Sequence, residues 1–259
     1  MSVIVSHTER LYFTPTAPVP STGTAVGYDA ADLTRGDVAD SWMSSASGLT
    51  HDIDVRIDSG TPPTFAAIFA AVGKPTKRPY QITIYRSSGW PITSPFMQVP
   101  AMSLNGRGDA AAILGNLSGA IALRFRIQFA GTAQCSVGRI WIGEHSTLPR
   151  SYAQRTDAPE YSVIENVSEA RSVFAHELAD YVERFKLGFG RLTKAERDAA
   201  RSVFDAVRGS RRSFVLVPDH TDLASVYHGR IGPSLPHQID FPEHTGLTWD
   251  FTESGRALG

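Results

Sequence analysis

The sequence predicts a mainly β protein in two parts: a β-sandwich over residues 1–150, then an antiparallel β-barrel or sandwich with one packed α-helix over residues 151–259. Short segments of alternating apolar and polar residues fill the first part, and turn-forming residues separate them, which is typical of a sandwich. A helix start signal near residue 193 stands between apolar strand candidates in the second part. The pattern changes character near residue 150, so the boundary is predicted there.

Several segments of the first part alternate with the period of two expected of a strand. The clearest is Ile121–Phe129, and shorter ones are Val55–Asp58 and Tyr80–Ile84. In Val137–Ile142 we expect both faces to be covered. The segment Phe65–Val72 is apolar enough for a strand or a short helix, and its pattern leaves both open.

A helix is predicted over about residues 193–208. Thr193 and Glu196 have the spacing of a capping box, in which each side chain satisfies the other's backbone N–H. Gly209 follows, the residue type preferred where a helix ends in a left-handed turn. One face is apolar through residues at fourfold spacing, namely Ala195, Ala199, Val203 and Val207.

Strands are expected on both sides of this helix. Before it, Arg171–His176 and Tyr181–Phe189 are predicted to be joined by a turn near Ala179 and Asp180. The polar segment Ala153–Pro159 ahead of them is interpreted as a linker or extended arm. After the helix, strands are expected at Ser213–Val217, Ser225–Ile231 and Gly246–Phe251.

Composition limits the classes of function. The net charge of −1 gives no support for nucleic-acid binding, and no segment approaches the ~20 apolar residues of a membrane span. We therefore expect no direct nucleic-acid binding and no membrane insertion. Cys135 is the single cysteine, which excludes an internal disulfide and multi-thiolate zinc sites and fits synthesis in a reducing cytoplasm.

Motifs for catalysis are absent from the sequence. It contains no Gly-x-Ser-x-Gly elbow, no Gly-rich phosphate loop and no His-Glu-x-x-His. Cys135 is expected to act as a small buried apolar residue. We assign no catalytic, cofactor-binding or metal-binding residue, and we expect the protein not to be an enzyme.

Two other motifs are interpreted as structural. In the strand predicted at His51–Asp58, Asp52 and Asp54 share a face that we expect to be solvated, while His51 points away. Arg107-Gly108-Asp109 spells a cell-adhesion tripeptide, but turn geometry already explains its glycine. We interpret it as a turn.

The tryptophans offer candidate contacts for carbohydrate, because an aromatic ring face complements the C–H groups of a sugar. Trp141 and Trp249 lie on predicted strands and are expected in the core. Trp42 and Trp90 lie in loop-like segments beside serines and are the candidate carbohydrate contacts. The alternative for both is packing within their loops.

The first part resembles the galactose-binding-like (discoidin-type) jelly-roll sandwich. The resemblance is carried by segments that match its early loop, first core strand and closing strands: Ala39–Ser45, His51–Asp58, Leu123–Ile127 and Gly138–Glu144. It implies a sandwich in which binding of sugars or proteins resides in the first half.

The second part resembles the barrel-plus-helix domain of distal tail and tail-tube proteins of siphophages. The supporting order is a strand pair, the capped helix, Arg211–Asp219 and then Val226–Ile231. That family forms rings by edge-strand pairing between copies. Its members usually place the barrel first, whereas here it comes last.

Together the two resemblances imply a structural virion component of a phage tail tip or baseplate, located in the virion tail. Its expected partners are further copies of itself in a ring of six (three being the alternative), neighbouring tail-tube and baseplate proteins, and carbohydrate of the host surface. The alternative is a carbohydrate-binding module protein that attaches to host glycans. A glycan hydrolase comes third and would need two carboxylates about 5 to 10 Å apart in a cleft.

Overall fold

A computed structural model gives the fold of the chain. It describes residues 2–9, 18–34, 41–57, 61–71, 77–93, 97–99, 101–115, 117–148, 158–167, 173–208, 211–232, 237–241 and 244–253. The predicted linker over residues 153–157 and the predicted helix stop at Gly209 lie outside this part of the chain.

The first half consists of short strands and a 3-10 helix at Ala30–Leu33. Its strands are β1 (Val3–Glu9), β2 (Val19–Pro20), β3 (Trp42–Met43), β4 (Gly48–Arg56), β5 (Phe65–Ala70), β6 (Gln81–Ser87), β7 (Met97–Val99), β8 (Ser103–Leu104), β9 (Ala110–Ile113), β10 (Ala122–Ala133) and β11 (Ser136–Leu148). The ambiguous segment from Phe65 is therefore a strand.

The second half contains one helix, α1 (Lys194–Val207), among its described residues. Its strands are β12 (Ala158–Val167), β13 (Val173–Leu192), β14 (Phe214–Val217), β15 (Tyr227–Ile231), β16 (His237–Phe241) and β17 (His244–Glu253). The mainly β class with one packed helix is confirmed.

Two antiparallel sheets hold these strands. A five-stranded sheet has the order β2-β4-β10-β6-β7. A 12-stranded sheet has the order β12-β13-β17-β15-β14-β1-β11-β5-β9-β8, with β16 beside β17 and β3 beside β11. The β1-to-β8 side of the larger sheet packs on the smaller one, and this pair of sheets is the predicted sandwich.

The sandwich core forms where the alternating strands point inward. Every second residue of β10 from Leu123 to Phe129 is buried, as the period of two predicts. β11 is buried on both faces, because Ile140 and Ile142 face the smaller sheet while Trp141 packs on the opposite side of its own sheet. Both sequence predictions are confirmed.

The strand β1 joins the two halves. It pairs with β11 of the sandwich on one side and with β14 of the second half on the other. Val3 and Val5 lie in the core beneath α1, together with Trp249. The predicted division at residue 150 stays a prediction. It assigns β1 to the first part, although β1 contributes to the core of the second part.

The helix α1 begins as predicted. The Thr193 hydroxyl accepts from the Glu196 backbone N–H at 3.4 Å, and a Glu196 carboxylate oxygen accepts from the Thr193 N–H at 2.8 Å. The buried residues of α1 are Ala200, Val203 and Val207. The C-cap residue Arg208 is left-handed, with φ of 53°, and the predicted stop at Gly209 stays a prediction.

Two strand predictions of the second half are wrong. β13 runs unbroken through Ala179 and Asp180, where a turn was expected. Pairing with β12 keeps the chain extended there, with irregularities of register opposite Glu160 to Val163. Its partner β12 begins at Ala158, inside the segment interpreted as a linker. The resulting sheet is open at both ends of its strand order rather than closed into a barrel.

Candidate functional site

A cavity of about 280 Å³ opens at one end of the sandwich. It lies where β5 ends at Ala70 and where β11 begins at Ser136. The residues just before β6 and the turn that contains Gly108 complete its wall. Concave sites of this kind, lined by apolar groups with a few polar ones, are the usual binding sites of proteins.

The floor of the cavity is apolar and belongs to the sandwich core. Its side chains include Ile68, Ile82, Phe129 and Val137, each at most 4% exposed. Ser136 adds a hydroxyl oxygen that is buried and has no hydrogen-bond partner among the described residues. That oxygen is shielded from solvent, so it forms part of the wall and is not an accessible hydrogen-bonding group of the cavity.

The rim of the cavity carries two exposed cations, Lys77 and Arg78. The two cations lie next to different glycines. Lys77 Nζ lies beside Gly131, 3.3 Å from the position that a Cβ on this glycine would take. A terminal nitrogen of Arg78 lies near Gly106, 3.9 Å from the corresponding position. Neither makes an ion pair with a described residue, so both charges face solvent and the cavity mouth.

Arg107 also lines the cavity, but its guanidinium forms ion pairs with two buried carboxylates. Its guanidinium lies 3.1 Å from Asp109 and 3.1 Å from Glu253, and it stacks over the Tyr227 ring at 5.2 Å. Asp109 is fully buried. The Arg-Gly-Asp sequence is therefore a turn whose two charged members bind each other and the last strand, in agreement with its structural interpretation.

Tyr80 adds an exposed aromatic ring next to the cavity. Its backbone N–H donates to the Gln128 carbonyl at 2.9 Å, which fixes it one residue before β6. It follows Pro79, which lines the cavity, but Tyr80 itself is not among the lining residues. Lying beyond the end of the sheet, it remains 57% exposed.

The two tryptophans predicted as carbohydrate contacts have different surroundings. Trp42 has no exposed surface, and its indole N–H donates to the Thr24 hydroxyl at 3.0 Å. A ring enclosed in the core cannot stack on a sugar from solvent, so the prediction for Trp42 is wrong. The segment around it looks like a loop in sequence but contains β3, which pairs with β11.

Trp90 is partly buried and stays a candidate contact. It follows β6, at the opposite end of that strand from Tyr80 and the cavity. The neighbouring Ile92 carbonyl accepts from Arg124 at 3.1 Å, which anchors this loop to the outer face of the smaller sheet. Any contact at Trp90 is thus separate from the cavity.

That outer face holds the aspartates of the predicted strand. Asp54 binds Arg124 through two hydrogen bonds of 2.6 and 2.8 Å, and Asp52 binds Arg126 through two of 2.9 and 2.8 Å. His51 points inward and is fully buried. The shared face of the aspartates is confirmed, but cross-strand arginines cover it where open solvation was expected. Because both carboxylates are already bound, this face is better explained as a structural ion-pair network.

None of the described lining residues of the cavity is acidic. Cys135 lies in its wall, where burial raises the pKa of the thiol and keeps it protonated. In the part of the chain that the structure describes, no three His, Cys, Asp or Glu side chains are placed to hold a metal ion. None of the described helices is long and apolar enough to cross a membrane.

Of the residues that line the cavity, Arg107, Gly108 and Cys135 were singled out in the sequence, but only as structural residues. Lys77, Arg78 and Tyr80 are consecutive with Pro79 just before a predicted strand, and this short basic and aromatic cluster was the available signal. Ser136 carried no signal, because its lack of a partner depends on how β11 meets β10.

Comparisons with known proteins bear on the sandwich. No family model and no curated protein matches this chain. Among solved structures, a mutant of chitosan-binding module 1 from a Paenibacillus sp. IK-5 chitosanase/glucanase matches with 12% identity and a TM-score of 0.43, over 52% of this chain and 98% of that one.

Two further matches come from Clostridium perfringens. The CBM32-1 and CBM32-2 domains of ZmpB match with 14% identity and a TM-score of 0.43, over 55% of this chain and 37% of theirs. The family 32 CBM of NanJ, in complex with galactose, matches with 12% identity and a TM-score of 0.39, over 56% of this chain and 100% of its own. These values are too low to argue from, so the fold of the first half is established by its own strand pairing as a two-sheet β-sandwich.

Proposed function

We propose that this protein binds carbohydrate without chemically changing it, and that the cavity at the end of the sandwich is the binding site. The observation that carries the proposal is the cavity with its apolar floor, whose wall includes Pro79, the residue that precedes the exposed Tyr80 ring. A sugar ring presents C–H groups to an aromatic face and hydroxyls to polar groups. The cavity supplies the polar groups through its basic rim.

The size of the cavity limits the ligand. At about 280 Å³ it lies just below the ~300–1,000 Å³ range of ligand pockets, which favours one sugar unit over a long chain. A terminal unit of a glycan, such as one on a host surface, fits this requirement. The lack of acidic lining residues in the described part removes the carboxylate pair of a hydrolase and supports the non-catalytic reading.

Titration calorimetry with a panel of monosaccharides tests this function. Tyr80→Ala removes the ring, and Leu49→Ala, which truncates another exposed apolar side chain at 59% exposure, is the matched control. We expect Tyr80→Ala to weaken binding by roughly 2- to 12-fold, from the ~0.5–1.5 kcal/mol of aromatic stacking, and Leu49→Ala to leave it unchanged. Absence of binding by every sugar, or equal loss in both variants, would contradict the proposal.

As a second candidate, we propose a structural role in a phage tail tip, with copies of the chain assembled in a ring that contacts tail-tube and baseplate proteins. The supporting observation is the β12–β13 ribbon. β12 pairs with β13 alone, and β13 before Arg184 pairs with β12 alone among the described strands. Unpaired strand edges can accept a strand from another copy. A strict monomer across a concentration series in light scattering would contradict this role.

A further inference from the structure

We propose that the sugar unit recognised in the cavity carries a carboxylate, as a hexuronic acid does, and that Lys77 and Arg78 bind it. This inference rests on the proposed carbohydrate function. It starts from the sign of the exposed charges at the cavity: both exposed ionisable side chains of the rim are cations.

The carboxylates behind the rim do not neutralise the charges of Lys77 and Arg78. Asp109 and Glu253 are at most 4% exposed, and both are bound to Arg107. A ligand that enters the mouth therefore meets Lys77 and Arg78, while the carboxylates remain screened by the guanidinium between them and the cavity. An anionic group gains from both cations without competing with a resident carboxylate.

The positions of the two cations suit one small anion at the mouth. Lys77 lies at Gly131 of β10, and Arg78 lies at Gly106 in the turn before β9, so a carboxylate between them is approached from two sides. Arg78 can offer the planar pair of donors that matches a carboxylate, and Lys77 a point charge. The ring of the sugar then projects toward Ile82 and Phe129 of the apolar floor.

Galacturonate and galactose make a matched pair for the test, because they differ at C6 alone, carboxylate against CH2OH. We expect the wild-type chain to bind galacturonate about tenfold more tightly than galactose at low salt. The difference should shrink at high salt, since exposed charges are screened. Equal affinities for the two sugars would overturn the inference and leave the carbohydrate function standing, whereas no binding of either would remove both.

The variant Lys77→Gln with Arg78→Gln removes the two charges. Its control is Arg211→Gln with Arg212→Gln, which removes another adjacent pair of exposed cations before β14. We expect the first variant to bind galacturonate no better than galactose and the control to behave as wild type. Equal behaviour of the two variants would overturn the inference, and so would competition by inorganic phosphate as strong as by galacturonate, which would reveal a general anion site.

Discussion

Glu9 and Arg139 show how single buried residues set the response of this protein to pH. A terminal nitrogen of Arg139 lies 3.2 and 3.0 Å from the two Glu9 oxygens, and the guanidinium lies over the Trp141 ring at 5.3 Å. Arg139 is 3% exposed. Burial raises the pKa of Glu9 to about 7 from 4.5, an effect that Arg139 opposes but does not overcome.

This raised pKa predicts a pH-dependent stability. The folded state holds a proton on Glu9 that the unfolded state releases above pH 4.5, so the stability contributed by this group is fully present below that pH and is lost as pH rises through about 7. In the wild-type protein this group lowers the unfolding free energy as pH rises from 5 to 7. Glu9→Gln should make that decrease smaller by on the order of 1–2 kcal/mol. Urea unfolding at the two pH values measures it.

Asp198→Asn, on the exposed side of α1, is the control for loss of a carboxylate. It should retain the wild-type slope. An unchanged slope in Glu9→Gln would show that other groups carry the pH dependence.

At the scale of elements, the β12–β13 ribbon is the feature that separates the two proposed functions. It extends beyond Arg184, the residue from which β13 pairs with β17, and there β13 pairs with β12 alone among the described strands. An open two-stranded ribbon is marginal in water unless something pairs with it. Its edges are therefore the place to test assembly.

Shortening the ribbon tests assembly directly. Because Glu160 pairs with Val182, residues 161–181 can be replaced by Asn-Gly, which joins paired positions through a tight two-residue turn. If the ribbon forms rings, wild-type protein should show a discrete ring-sized mass in light scattering and the shortened chain should be monomeric. A shortened chain that keeps the same large mass would place assembly elsewhere.

The shortened chain should also bind sugar as wild type does, because the ribbon supplies none of the described residues of the cavity. Loss of sugar binding together with assembly would mean that the cavity works only in the assembled form.

In the whole molecule, the first strand of the chain completes the sheet of the last part. β1 pairs with β14 through Ile4, Val5 and Ser6, and its inner residues are buried beneath α1. Arg107 adds a second link between the halves through Glu253. The two predicted domains thus share a sheet and an ion pair.

We therefore expect the fragment 153–259 to fail to fold alone. It lacks Val3 and Val5 from its core and exposes the edge of β14, a strand whose four residues are all apolar and buried in the whole chain. The same fragment preceded by residues 2–9 and a flexible linker is the control and should recover a cooperative thermal transition. Circular dichroism measures both, and a cooperative transition in the shorter fragment would contradict the expectation.

The sequence alone determined the features that depend on neighbouring residues. The capping box at Thr193 and the inward face of β10 follow from local hydrogen bonding and from a period of two, so both were predicted correctly. The turn expected near Ala179 was wrong because the strand there is held by pairing with β12, a long-range contact that local patterns do not encode. The prediction that Trp42 contacts carbohydrate was wrong for the same reason, because its loop-like segment forms a strand that pairs with β11.

Tertiary structure alone decided the candidate site and the junction of the halves. Pro79, Gly108 and Ser136 meet at one end of the sandwich because β5, β6 and β11 begin or end there, and nothing in their separate sequence contexts shows that they are neighbours. The place of β1 between β11 and β14 likewise depends on which strand edges remain open after the rest has paired. Periodicity specifies which face of a strand is buried, but the choice of partner is settled by packing across the whole chain.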